Sequence, residues 1–137
     1  MTDYTILSKF RNKFNCDLLV KELEEKGKTC YNFCEYPADP DNSDASPEKQ
    51  MKKCEETEDF YNDKYFKEIF EKDLDGLKNA ETVIVLLPGG NSGHIEAGIA
   101  YGLNKRLILI GKPEKPDSLY MIFKERYDTI EEFLATV

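Results

Sequence analysis

Several things are scarce in this 137-residue chain. Histidine occurs once, at position 94. The four cysteines (Cys16, Cys30, Cys34, Cys54) form no C-x-x-C pair. With a single histidine to complete a ligand set, a zinc site is disfavoured and no metal or other cofactor is expected. Positive charge is also short, with 19 Lys and Arg against 27 Asp and Glu, a net charge of −8 and a pI near 4.8. Such a surface repels nucleic acid polymers and anionic membranes. A small phosphorylated ligand stays possible, because a local site can be positive on an acidic protein. No segment approaches the ~18 to 20 apolar residues that span a bilayer, and "MTDYTILSKFRNKF" has no apolar signal core. The expectation is a soluble, cytoplasmic protein with reduced thiols.

The apolar text that is present is arranged as short strands and amphipathic helices. "DYTILSKF" reads as a strand near residues 4–8, "NKFNCDLLVKELEEKGK" as a helix stopped by Gly27, and residues 28–36 as a second strand. Residues 37–59 are rich in proline and acids. They read as a mobile, flexible insert with a short helix late in it, either a lid over a site or a plain insertion. A helix follows over 65–78, then the near-continuous apolar run "TVIVLLP", whose lack of alternation suits a strand covered on both faces. A glycine turn, a helix over 92–103 and the strand "RLILIG" come next. "SLYMIFKERYD" is ambiguous between strand and helix, and "TIEEFLATV" opens like a capped helix.

This order predicts a single α/β domain over 1–137, a flavodoxin-like or Rossmann-like three-layer sandwich with a five-stranded, mostly parallel sheet. A 2-1-3-4-5 strand order puts the switch point at the carboxyl ends of the first and third strands. The crevice should therefore be built from Ser8, Lys9, Phe10 and Arg11 on one side and from "GGNSGHIE", residues 89–96, on the other.

Gly89, Gly90 and Gly93 permit positive φ and close approach, and the helix beginning near Ser92 points free amides at the crevice, which suits an anion. Asn91 and Ser92 stand in the same turn. The plainer reading is a strand-to-helix turn that uses glycine, since "PGGNSG" matches neither the dinucleotide fingerprint nor the P-loop. Glu96 lies in the first turns of that helix, where the macrodipole favours a carboxylate. Ile95, Ala97, Gly98, Ile99 and Ala100 make the helix look packed, so the crevice is the outlet for the charge. There Glu96 is placed to act as a nucleophile or to hold a sugar hydroxyl. Asp73 and Asp75, in the preceding helix, are candidate second carboxylates, with a solvated helix face as the alternative. His94 reads as a proton donor near neutrality or as a capping residue. Lys9 and Arg11 read as a 5′-phosphate pair or as a solvated basic patch. Tyr101 reads as packing. A flavin carrier is disfavoured, because "SKFRNKFN" replaces the Ser/Thr-rich phosphate loop such carriers have after the first strand.

"FEKDLDGLKNAETVIVLLPGGNSGHIEAGIAYGLNKRLILIG" resembles the nucleoside 2-deoxyribosyltransferase superfamily, including its 2′-deoxynucleoside 5′-phosphate N-hydrolase branch. The shared features are the Asp-Leu-x-x-Leu helix end at Asp73, an apolar strand, a loop of small residues, and the Glu-x-Gly-x-Ala-x-x-x-x-Lys frame from Glu96 to Lys105. The match covers roughly residues 65–111, with weaker support from the first strand and the tail. The resemblance implies cleavage or transfer at the N-glycosidic bond of a deoxynucleoside or deoxynucleotide, with Glu96 as nucleophile. It also implies Asp73 as the assisting helix-end aspartate, a sugar pocket at the end of the first strand, and a homodimer or higher homo-oligomer. The chain departs from the family where the transferases carry a base-binding acid, since the loop here offers Asn91 and His94. The C-terminal segment that completes a neighbour's site has no counterpart. A non-catalytic nucleotide-binding or sensing module on the same fold is the alternative.

Overall fold

A computed structural model describes residues 1–137. Five strands, β1 (Thr2–Leu7), β2 (Cys30–Asn32), β3 (Ala80–Leu86), β4 (Arg106–Ile110) and β5 (Glu125–Tyr127), form one sheet in the order β2-β1-β3-β4-β5, and every pairing is parallel. The helices are α1 (Lys13–Glu25), α2 (Pro47–Glu55), α3 (Lys64–Asn79), α4 (Gly90–Gly102) and α5 (Ile130–Leu134).

Alternation along the strands splits the core in two. Ile6, Ile84, Leu86, Ile108 and Ile110 face α1 and α5, where Cys16, Leu19, Leu23 and Phe133 meet them. Leu7, Val83, Val85, Leu107 and Leu109 face α3 and α4, where Leu77, Ala97 and Ala100 meet them. Both faces of β3 are covered, which is why its sequence shows no polar positions between Val83 and Leu86. Small residues on the inner face of α4 let that helix lie close to the sheet. Only Gly93, Ala97 and Ala100 of α4 are buried, and Ile95 is 66% exposed. The expectation of a packed helix around Glu96 therefore holds for one face alone.

Element boundaries depart from the sequence expectation for identifiable reasons. The second strand stops at Asn32, because the Asn32 side chain accepts the Cys34 N–H and turns the chain into a 3-10 turn over Phe33–Glu35. The stretch 37–59 does carry the short helix expected late in it, α2, begun by Ser46 as N-cap and Pro47 at the first turn. Its order comes from polar groups: buried Gln50 accepts from the Asp39 N–H and donates to the carbonyls of Ser43 and Ala45. The ambiguous "SLYMIFKERYD" resolves into a 3-10 turn over Ser118–Ile122 followed by β5. Thr129 caps α5 by accepting the Glu132 N–H, as the sequence suggested. All four cysteines are free thiols. No helix is long and apolar enough to cross a membrane.

Candidate active site

The ends of β1 and β3 are clasped together before they diverge. Ser8 Oγ donates to the Pro88 carbonyl at 2.9 Å and accepts from Asn12 Nδ2 at 3.0 Å, while the Lys9 N–H reaches the same carbonyl. Ser8 is thus spent on structure, although it lines the cleft floor. At Gly90, φ is +63°, and a Cβ there would lie 2.8 Å from that of Lys9. Only glycine fits that turn. Gly93 is buried against the Ser8 backbone and seats the start of α4 on the end of β1, outside the cleft lining.

Above this clasp opens a cleft of about 620 Å³. One wall carries Lys9, Phe10, Arg11, Gly89 and Gly90 with Asn91, Ser92 and Glu96 of α4. Asp73 of α3 faces in from beside Glu96. The structure therefore brings together the sequence-nominated residues that follow β1, the glycine turn, Glu96 and Asp73, and leaves Asp75 on the exposed side of α3. The opposite wall was not foreseen. It consists of Phe33, Tyr36, Met51, Tyr65, Phe66 and Ile69, an apolar and aromatic surface shared by the turn after β2, α2 and α3. Its legible trace was the apolar helix face that carries Tyr65, Phe66 and Ile69.

Two carboxyl groups in this setting interact. Burial, with the nearby Asp73 carboxylate adding to it, pushes the Glu96 carboxyl up to about 8. Burial likewise raises Asp73, partly offset by the Tyr31 hydroxyl, which donates to Asp73 Oδ1 at 2.9 Å. Burial, followed by the charge of Asp73, holds the Tyr31 phenol protonated far above its usual range. Asp73 is thus the better stabilised anion, and Glu96 gives up its proton last. The Tyr31 ring reaches this position by lying on Gly76, where an added Cβ would come within 2.7 Å of the ring. Gly76→Ala is expected to cost about 1 to 3 kcal/mol by overpacking and to dislodge Tyr31 from Asp73. Thermal denaturation of this variant beside Tyr31→Phe, which keeps the ring, separates the two effects.

His94 and Arg11 stand elsewhere than expected. Residues two apart on an α-helix point about 200° apart, so His94 faces away from Glu96. Its Nδ1 donates to the Gly90 carbonyl at 2.7 Å and its Nε2 meets the Tyr120 hydroxyl at 2.8 Å, in an adjoining groove that shares Lys9, Gly89 and Gly90 with the cleft and is bordered by Lys112 and Lys115. A proton donor to a ligand beside Glu96 is not available from that position. By the same geometry Ser92, four residues before Glu96, shares its face and lines the cleft. The Arg11 guanidinium is bound by Glu48 in a two-pronged contact, with Nη2 at 3.1 Å, and by Glu55 at 2.6 Å. The paired Lys9 and Arg11 of the phosphate reading are therefore reduced to Lys9, because α2 brings two acids to Arg11.

These features define an α/β domain with a carboxylate-bearing cleft at the switch point of its sheet. Searches against protein-family models and against curated proteins give no match. Among solved structures, the chain is similar to a 2-deoxyribosyltransferase from Bacillus psychrosaccharolyticus, with a TM-score of 0.63 and 15% identity over 96% of this chain and 90% of that one. It is also similar to the Clostridium botulinum CMP N-glycosidase BcmB, with a TM-score of 0.53 and 20% identity over 98% of this chain and 97% of that one. The fold is the one these two structures share.

Proposed function

We propose that the chain cleaves or transfers at the N-glycosidic bond of a deoxynucleoside or deoxynucleotide, with Glu96 as the nucleophile. The observation that carries this reading is the meeting of Glu96 and Asp73 in a cleft at the ends of β1 and β3, opposite a wall of aromatic side chains. The naming of the two structural neighbours as a 2-deoxyribosyltransferase and a CMP N-glycosidase supports the same chemistry.

In this mechanism the nucleobase lies on the Tyr36 and Phe66 wall, and the sugar lies against Gly89, Gly90 and Glu96. A Glu96 carboxylate oxygen forms a bond to C1′ as the C1′–N bond breaks and its electron pair passes to the base. Asp73, held by Tyr31, stabilises the positive charge that builds on the sugar. With His94 outside the cleft, the departing base is met by the neutral donors Asn91 and Ser92 and takes its proton from water. Attack on the glycosyl ester by water completes a hydrolysis; attack by a second base completes a transfer. The test is chromatography of free base from a panel of deoxynucleosides and their monophosphates, with Glu96→Gln protein run alongside to exclude a contaminant. Ligand binding with no base released from any substrate would leave the binding-module reading, which the raised carboxyl of Glu96 favours.

A homodimer belongs to the same reading. Phe70 on α3 and Ile95 and Tyr101 on α4 expose large apolar side chains, and Gly98 and Gly102 leave α4 open between them. Sedimentation is expected to give twice the 15.8 kDa chain mass at micromolar concentrations. A mass of one chain across that range would refute it.

A further inference from the structure

The cleft has its own charge balance, and α2 sets it. Arg11 stands at the mouth with its Nε and Nη2 on Glu48 and its Nη2 also on Glu55. Its side chain is one-third exposed, so the guanidinium sits at the cleft border and not in bulk water. Asp73 and Glu96 lie deeper. Lys9 is then the one cleft cation with no carboxylate partner. A 5′-phosphate entering here meets Glu55 together with a guanidinium that is already engaged. To grip Arg11 with two prongs, it must displace a carboxylate that is already in place, because only Nη1 is left open.

We propose that the Arg11–Glu48–Glu55 cluster sets the substrate class of this cleft, admitting unphosphorylated nucleosides and discriminating against their 5′-monophosphates. This rests on the N-glycosidic reading of the site. The physical basis is competition for one guanidinium. A two-pronged contact to Glu48 supplemented by Glu55 occupies Nε and Nη2, leaving only Nη1, so neither two-pronged edge of the guanidinium is open to a phosphate, and like charge repels the phosphate itself. Because these acids are well exposed, at 71% and 56% of the side chain, the effect is modest, about tenfold. The sequence could not show it, since Glu48 and Glu55 lie far along the chain from Arg11 and α2 has no recognisable motif.

The experiment uses 2′-deoxycytidine and its 5′-monophosphate, with the corresponding purine and thymine pairs in parallel. Dissociation constants come from calorimetry and kcat/KM from base release, on the wild-type protein, the Glu48→Gln/Glu55→Gln variant, and that variant carrying Arg11→Met as well. Wild-type protein is expected to favour the nucleoside by ~10-fold. The double variant, which keeps side-chain shape while freeing the guanidinium, should move the monophosphate-to-nucleoside ratio by at least ~10-fold toward the monophosphate. Adding Arg11→Met should cancel most of that gain. A wild-type preference for the monophosphate, an unchanged ratio in the double variant, or a gain that survives Arg11→Met overturns the proposal. The binding ratio is readable even where no base is released, so loss of the catalytic reading and loss of this one are told apart. Failure to bind either member of a pair overturns both.

Discussion

Glu96→Ala protein is expected to release base at least ~10³-fold more slowly than the wild type, with most of the loss in kcat. The size of the effect follows from the cleft. A covalent nucleophile contributes a bond that exists only along the reaction path, so its removal is felt in turnover more than in substrate binding. No other side chain stands where it could take over. Asp73 is the one neighbouring carboxylate, and its Oδ1 is engaged by Tyr31 at 2.9 Å. His94 points into the other groove. Glu96→Gln should be nearly as inactive while preserving volume. A loss confined to KM in both variants would instead assign Glu96 to holding the sugar.

The second large effect is on pH dependence. Attack requires ionised Glu96, whose carboxyl burial and Asp73 hold near 8. Below that value the reactive fraction falls by about tenfold per pH unit, so kcat/KM should climb roughly 50-fold from pH 6 to pH 8 and level about one unit higher. The same group links stability to pH with a fixed sign. A carboxyl raised from 4.5 to about 8 on folding binds its proton more tightly in the folded state. Its contribution is therefore present in full below about 4.5 and is lost as pH rises through 8. After discounting for partial solvent access, the loss is on the order of 1 to 3 kcal/mol. Glu96→Gln cannot ionise and escapes it. The variant should match wild type at pH 5 and exceed it in thermal stability at pH 9, a gain bought at the cost of activity. A flat rate profile between pH 6 and 8, or a variant no more stable at pH 9, would contradict the buried carboxyl pair.

Much of the architecture was legible because it rests on apolar periodicity. The runs at 82–86 and 106–110 announce covered parallel strands, and the glycine turn between them announces the switch point, so the cleft position and its floor followed. What escaped is held by other forces. The α2 segment contains almost no large apolar residue and is ordered by Gln50, Asp39 and the acids on Arg11, contacts that leave no period in the sequence. Hence the aromatic wall and the engagement of Arg11 were both missed. The fate of His94 depended on Tyr120, which lies in the segment whose conformation the sequence left open, although the two-residue offset from Glu96 already placed the two side chains on different faces. Tyr31 went unnoticed because its role requires the bare surface of Gly76, a partner from another element.

The most direct test of the account is the covalent intermediate. Protein is mixed with a deoxynucleoside whose sugar carries a 2-fluoro substituent to slow ester breakdown, quenched in acid, and read by intact mass and peptide mapping. A mass gain of one sugar residue per chain is expected, located on Glu96, with none in Glu96→Gln protein. A sugar adduct on another residue, or base released at the wild-type rate by Glu96→Ala protein with no adduct at all, would contradict it.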